Sequence, residues 1–261
     1  MKLLSWNVQG RVKRQPEQAL RIAELRPDVV CLQEVTATTV RRWAADLAQI
    51  GLEHVLAGDP LAAQAEGRSR PLLVLTAAGM PLSGQEVPGA PWPERVAAGR
   101  TDAGVLIVNV HSPISPKPDL VKVRTHEAVH TYLQNSAPPA ILCGDLNTPR
   151  KEHPDGRVWS FARTRSGKLR PDRGERWDSA ELALIQGLEP FGFRDAFREL
   201  HGWDVKEYSW EWPSWGGGYR LDHLVVSEGV RPLRVEYLHE WRREDGLSDH
   251  SPLVADIEIE V

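Results

Sequence analysis

Ala140-Ile141-Leu142-Cys143-Gly144-Asp145-Leu146-Asn147 is the stretch on which the fold of this chain turns. It follows Pro138-Pro139, so a short apolar strand starts there and runs straight into a carboxylate and an amide. One polar residue closing one strand is ordinarily a solvated strand end. Here the pattern recurs: the strand-like stretch 2–8 carries Asn7, 28–33 ends at Gln33-Glu34, and 104–110 gives way to His111-Ser112-Pro113. Leu221-Asp222-His223 and Ser248-Asp249-His250-Ser251-Pro252 follow later. Such endings, rich in Asp, Glu, Asn and His and poor in Lys, converge on one cleft if the strands share a sheet edge.

Working outward, periodicity predicts helices at about 15–25, 37–49, 118–134 and 178–188, with Pro16 suited to a first helical turn. Further strands are expected at 53–57, 71–76, 84–87, 95–100, 220–227, 231–238 and 252–260. Helices alternate with strands early, and strands follow one another around 53–110 and from 220 onward. That mixture predicts helices layered over two packed sheets. No linker-like segment divides the chain, so residues 1–261 read as a single domain.

Composition narrows the class. The 261 residues are 41% hydrophobic and 26% charged, as in ordinary globular proteins. No window approaches the ~18 consecutive apolar residues of a membrane span. Met1–Asn7 is strand-like and lacks signal-peptide anatomy. Cys31 and Cys143 each sit in an apolar run and read as reduced core residues of a cytoplasmic protein. A disulfide scaffold, a membrane protein and a cysteine-ligated zinc domain are thereby excluded. The net charge of −4 hides a segment, 150–178, with nine Lys/Arg against five Asp/Glu. An acidic body with a local basic stretch suits a metal site beside an anion-handling loop.

Carboxylates and amides are hard oxygen ligands suited to Mg²⁺ or Mn²⁺, and Mg²⁺ is typically shared between carboxylates and substrate phosphate. Histidine can move protons or hydrogen-bond a phosphate oxygen near neutral pH. An Asp behind an imidazole fixes its tautomer and stabilises its cationic form. Metal, histidine and a water-orienting Asp/Asn pair together make a phosphoester hydrolysis site.

Ser5-Trp6-Asn7, Leu32-Gln33-Glu34, Gly144-Asp145-Leu146-Asn147, Arg220-Leu221-Asp222 and Ser248-Asp249-His250-Ser251-Pro252 occur in the order seen in the endonuclease/exonuclease/phosphatase superfamily, which this chain resembles from residue 5 to 252. The resemblance implies a four-layer α/β sandwich, with two central, mostly antiparallel sheets flanked by helices and the active site at one end of the sheets. It further implies that Asn7, Glu34 and Asp249 form the metal site for Mg²⁺ or Mn²⁺, with Glu34 the direct ligand. Asp145 resembles the residue that orients or deprotonates the attacking water, and Asn147 its phosphate-binding neighbour. His250 is similar to the histidine that contacts phosphate and transfers a proton, with Asp222 orienting it. His111 is similar to the second histidine of DNase I-like members. Gln9 stands where AP endonucleases commonly carry Asp, whereas the aromatic segments around 208–219 and 193–197 resemble exonuclease III relatives.

Trp203, Trp210, Trp212 and Trp215 precede the Asp222 strand, and Trp159, Phe161 and Trp177 interleave with the arginines of 150–178. Aromatics stack on bases and arginines contact phosphates, so nucleic acid, DNA ahead of RNA, is the expected substrate. Trp210, Trp212, Trp215, Tyr219 and Arg220 are the expected substrate-binding residues. Neither a membrane nor an obligate protein partner is expected, and the protein reads as a monomer. The alternatives are hydrolysis of a small phosphoester and an inactive scaffold that binds nucleic acid or protein.

His126-Glu127-Ala128-Val129-His130 formally matches a zinc-protease helix motif. The helix's apolar face is Val121, Thr125, Ala128, Val129 and Tyr132, which turns His126 and His130 toward solvent. A surface histidine pair is therefore expected there. His223, next to Asp222 on one strand, should face away from the cleft and serve packing or the surface.

Overall fold

The computed structural model describes residues 1–114, 118–212, 214 and 216–260. Its strands, in chain order, are β1 (Lys2–Asn7), β2 (Val29–Thr36), β3 (His54–Ala57), β4 (Leu72–Ala78), β5 (Leu82–Gln85), β6 (Val96–Thr101), β7 (Leu106–His111) and β8 (Ala140–Asp145). They continue with β9 (Lys151–Glu152), β10 (Val158–Trp159), β11 (Arg194–Asp195), β12 (Trp210–Glu211), β13 (Gly218–Tyr219), β14 (Asp222–Val226), β15 (Val230–Tyr237) and β16 (Leu253–Ile259). The helices are α1 (Gln15–Leu25), α2 (Val40–Ala48), α3 (Pro60–Ala65), α4 (Val121–Gln134), α5 (Gly174–Ala183), α6 (Ala196–His201) and α7 (His239–Arg243).

Two six-stranded sheets dominate, ordered β15-β16-β1-β2-β4-β3 and β11-β14-β8-β7-β6-β5. The β1–β2 and β7–β8 pairs are parallel. The neighbours that flank them, such as β1–β16 and β14–β8, are antiparallel. Period-two alternation explains the layering. Leu3, Val29, Cys31, Ile107, Ile141, Cys143 and Leu224 belong to one buried cluster between the sheets. Their neighbours Leu4, Trp6, Val30 and Leu32 pack outward with Ile22, Trp43 and Leu47 of α1 and α2. On the far side, Leu106, Val108, Leu142 and Val225 pack with Val129 and Leu133 of α4. Helix, sheet, sheet and helix make four layers, as the sequence resemblance implied.

The inner layer is not wholly apolar. Gln33 Nε2 donates to Asn109 Oδ1 at 2.9 Å, and Asn109 Nδ2 donates to the carbonyls of Leu32 and Leu75 at 3.2 and 3.1 Å. Both amides are fully buried, one on each sheet. The bridge gives partners to Gln33 Nε2 and to both ends of the Asn109 amide, which would otherwise be costly at this depth.

The expected solvent-facing histidine pair on α4 is corrected. His126 is fully buried, its Nδ1 donating to the Ala180 carbonyl at 3.1 Å and its Nε2 accepting from the Ser112 hydroxyl at 2.7 Å. His130 Nε2 faces the Gly187 carbonyl at 3.1 Å, and Glu127 pairs with Arg176. A single apolar stripe does not account for the second contact face, because α5 packs over α4 opposite the sheet. Each histidine is committed to a different carbonyl, which leaves no zinc motif. His223 is fully buried between Asp195 and the Thr148 carbonyl, facing away from the cleft as expected.

Candidate active site

The parity that fills the space between the sheets also builds the site. Leu3, Ser5 and Asn7 alternate inward along β1; Ile107, Asn109 and His111 along β7; Ile141, Cys143 and Asp145 along β8; and Leu224 and Asp222 along β14. At one end of the sandwich this inward row changes from apolar to polar. Glu34 joins it through a break in register: pairing of β2 with β4 slips between Leu32 and Val35, and Glu34 has φ 59°. Such a conformation in a residue other than glycine is strained, and strain of this kind is held only where its surroundings enforce it. Gly144, at φ +126°, has no alternative, since a Cβ there would lie 2.1 Å from the Val110 carbonyl oxygen.

Asn7 Nδ2 donates to Asp145 Oδ2 at 2.9 Å and to Glu34 Oε1 at 3.2 Å, joining β1, β2 and β8. Asp145 Oδ1 accepts from the Asn147 backbone N–H at 2.9 Å, and Asn147 Nδ2 donates to the Ser112 carbonyl at 2.8 Å. Across the cleft, His250 Nδ1 donates to Asp222 Oδ2 at 2.7 Å, which leaves Nε2 3.8 Å from Asp145 Oδ2. His111 Nε2 lies 3.5 Å from Glu34 and 4.0 Å from Asp145. The 248–250 loop is tied down by Ser248 Oγ donating to the Asn7 carbonyl and by Trp6 Nε1 donating to the His250 carbonyl. Gln9 Oε1 accepts from the Asp249 N–H at 3.2 Å and from Arg11 Nε, so this amide staples two loops together.

Electrostatics separate the two histidines. Burial alone would depress His250, but the charges of Asp222 and Asp145, the Asp222 hydrogen bond and Asp249 together lift it to about 10. His111 is pushed well below its ordinary value by burial, by Arg95 and by His250. Arg95, half-buried with its Nη1 3.4 Å from His111 Nδ1, was not visible in the sequence. With a donor at Nδ1, the imidazole proton belongs on Nε2, facing the carboxylates. Asp145 is raised to about 7 by burial and by Asp222, against His250 and the bonds from Asn7 and Asn147. Glu34 is raised by burial and by Asp249, against Asn7, His250 and Arg95.

A cavity of about 390 Å³ opens onto this set, lined by Glu34, Asp145, Asn147, Asp249 and His250 on one side. Ile114, Phe161, Trp210, Trp212, Tyr219 and Leu221 form the other wall. Trp210 Nε1 also donates to Asp249 Oδ2 at 3.3 Å. Arg220, expected among the substrate-binding residues, lies elsewhere: its guanidinium is fully buried between Glu152 and Asp195. Trp215 lies outside the described residues. Phe161 belongs to the aromatic-basic stretch noted in the sequence, whereas Ile114 and Arg95 carried no sequence signal, since each stands alone among unrelated neighbours.

The donor set fits a divalent cation. Asp249 Oδ1 is buried with no hydrogen-bond partner, and it shares the cavity wall with Glu34, a half-buried carboxylate that repels it. Ligand atoms of Asp145, Asp222 and His250 also fall within 4.8 Å of one another. In that second cluster Asp222 Oδ1 is likewise without a partner, but the His250–Asp222 bond and the two bonds to Asp145 engage its other ligand atoms, so the Glu34–Asp249 side is the better cation site.

Known proteins share this architecture. The chain is 28% identical to an exodeoxyribonuclease of Bacillus subtilis (strain 168) over 250 residues, covering 88% of this chain and 90% of that one. An AP endonuclease from Archaeoglobus fulgidus superposes with a TM-score of 0.75 at 22% identity, covering 99% of this chain and all of the other. A 3′ phosphatase from Neisseria bound to a product DNA hairpin superposes with a TM-score of 0.68 at 20% identity, covering 99% of each chain. Residues 4–250 match the model of one family, and with the cleft at the end of its two sheets the chain belongs to the Endonuclease/Exonuclease/phosphatase family.

Proposed function

We propose that the protein is a divalent-metal-dependent phosphodiesterase that cleaves DNA, with Mg²⁺ or Mn²⁺ as cofactor. One observation carries this reading: Glu34, Asp145, Asp249 and His250 line a single cavity that also has aromatic walls, and Asn7, His111 and Asp222 stand directly behind them, hydrogen-bonded or within 4.0 Å, so that six separate stretches supply one site. The names of the relatives, an exodeoxyribonuclease, an AP endonuclease and a DNA-bound 3′ phosphatase, support DNA as the substrate.

Glu34 and Asp249, with Asn7 beside them, would hold the cation, and a divalent ion bound there would supply Lewis-acid compensation of phosphate charge. Asp145 accepts the proton of the attacking water, for which its raised pKa near 7 is matched. A P–O bond forms to that water as the bond to the leaving oxygen breaks. His250, kept cationic by Asp222, donates from Nε2 to a phosphoryl oxygen, where charge accumulates. His111, neutral, presents its Nε2 proton to the same cleft, and Asn147 is held next to Asp145 to meet the phosphate. Trp210, Trp212, Tyr219 and Phe161 supply apolar surface for a sugar or base beside the scissile bond. In this reading the protein works in the cytoplasm as a monomeric single domain; no helix among the described residues is long and apolar enough to cross a membrane.

Plasmid DNA, an oligonucleotide with an abasic site and a small phosphodiester, each with Mg²⁺, Mn²⁺ or EDTA, test the proposal. Cleavage of DNA that requires metal is expected. Equal cleavage in EDTA, or a preference for the small diester over both DNAs, would overturn it.

A further inference from the structure

Next to the catalytic cavity, and sharing Tyr219 with it, is a second pocket of about 180 Å³ lined by Arg150, Lys151, Trp159, Arg165 and Tyr219. Its cations differ from most of the arginines of the same stretch. Arg157, Arg163 and Arg170 are each paired with a nearby Asp. Among the described residues, no carboxylate lies within the 4.0 Å of an ion pair from Arg150, Lys151 or Arg165. Instead, the Lys151 ammonium stands 5.1 Å over the Trp159 ring, and the Arg150 guanidinium 5.8 Å from Phe161, itself part of the catalytic wall.

The pocket floor is rigid. Trp159 is paired with Lys151 in the β9–β10 ladder, and His153 packs edge-on at 4.4 Å. Gly167, at φ +82°, closes over the indole so tightly that a Cβ would come within 2.6 Å of it. Three uncompensated cations converging on a preformed pocket are chemically complementary to a phosphate.

We propose that this pocket binds a backbone phosphate adjacent to the scissile one, so that a DNA strand crosses Tyr219 and is gripped on both sides of it. The inference rests on the nuclease reading, and it says which residues extend that site beyond the reacting phosphate. Tyr219 stacks on Trp210 with its ring 6.0 Å away, so the ridge between the pockets is itself an aromatic platform.

The test is binding of a fluorescein-labelled single-stranded 12-mer, measured by anisotropy in EDTA so that no cleavage occurs. The double variant Lys151→Glu/Arg165→Glu is compared with wild type and with Lys168→Glu, which alters a lysine of the same loop outside the pocket. Affinity of the double variant should fall roughly tenfold or more, and the slope of log K against log salt should shrink by about 0.7 for each phosphate no longer neutralised. Turnover of bis(p-nitrophenyl) phosphate with Mn²⁺ should stay within about twofold of wild type, because neither residue touches the reacting atoms. An equal loss in Lys168→Glu would mean only a general field and would overturn the pocket. So would unchanged 12-mer binding accompanied by loss of inorganic phosphate binding, which would assign the pocket to free anions. If wild type hydrolyses neither DNA nor the small diester, the nuclease reading fails, while binding in EDTA still decides the pocket on its own.

Discussion

Asp222→Asn keeps the size of the side chain behind His250 and removes its charge. In the native protein the imidazole donates to Asp222 Oδ2 at 2.7 Å, and the Asp222 charge leads the influences that lift His250 to about 10 against burial. Without it, burial pulls the imidazole back toward its ordinary value near 6.5 or below it. At about pH 8 the cationic fraction then drops from nearly all to a few per cent, a loss of roughly 30-fold in the competent form. The amide can also turn an N–H toward Nδ1 and impose the wrong tautomer, a fault that costs about 10⁴ in a serine protease with the same dyad. The expected fall in kcat therefore lies between roughly 30-fold and 10⁴-fold. Initial rates on the abasic-site oligonucleotide from about pH 5.5 to 9 read it, with circular dichroism to confirm folding. The variant should gain an alkaline limb near about pH 6.5 that wild type lacks. A loss under about tenfold, with superimposable profiles, would refute this role for the pair. The same pair bears on stability: the folded pKa is raised, so its contribution is full below about pH 6.5 and disappears as pH climbs through about 10.

Three further outcomes are expected. Lys122, fully buried, donates to Glu181 and to the Asn147 carbonyl at 2.7 Å each; Lys122→Met strands a buried carboxylate and should cost about 3–5 kcal/mol, on the order of 10 °C in Tm, with partial rescue by adding Glu181→Gln. Differential scanning calorimetry showing under about 1 kcal/mol, or no rescue, would contradict the network. His126 is lowered to about 4 by burial, so its neutral form stabilises the fold above about pH 6.5, and about 3 kcal/mol should be lost as pH falls toward 4; urea unfolding of His126→Leu should show a shallower acid decline, and identical slopes would reject the assignment. Arg220→Met should lower thermal stability by several degrees while leaving KM for DNA near wild type, since its guanidinium is spent on Glu152 and Asp195; a large rise in KM with unchanged Tm would return it to the substrate.

The chemistry is legible in the sequence because parity is legible. Apolar residues alternating into the inter-sheet layer carry Asn7, His111 and Asp145 at the ends of their strands, and Asp222 at the start of an antiparallel one, to one edge, and ordered motifs locate those residues without coordinates. Glu34 follows from motif order alone, as strict alternation past Leu32 would not turn it inward without the slipped register. What the sequence hides depends on packing between segments far apart along the chain. Arg95 reaches His111 across neighbouring strands from an otherwise unmarked position. A single stripe turns His126 toward solvent, whereas its helix is covered from two sides. Arg220 shares a motif with Asp222 but precedes the strand, so alternation does not carry it to the cleft.

The buried Gln33–Asn109 bridge has a consequence for how this molecule can change over evolutionary time. Asn7 and Glu34 ride on one slab and His111, Asp145 and Asp222, the other proposed site residues on strands, ride on the second, and sliding of either slab by a single step would orphan both amides. The bridge acts as a dowel: it fixes alignment near the middle of the slabs and places almost no demand on their outer edges or on the rim loops. Insertions and swaps at that rim can accumulate while the reacting groups stay in alignment, so new preferences at the mouth can arise without the catalytic geometry being invented again.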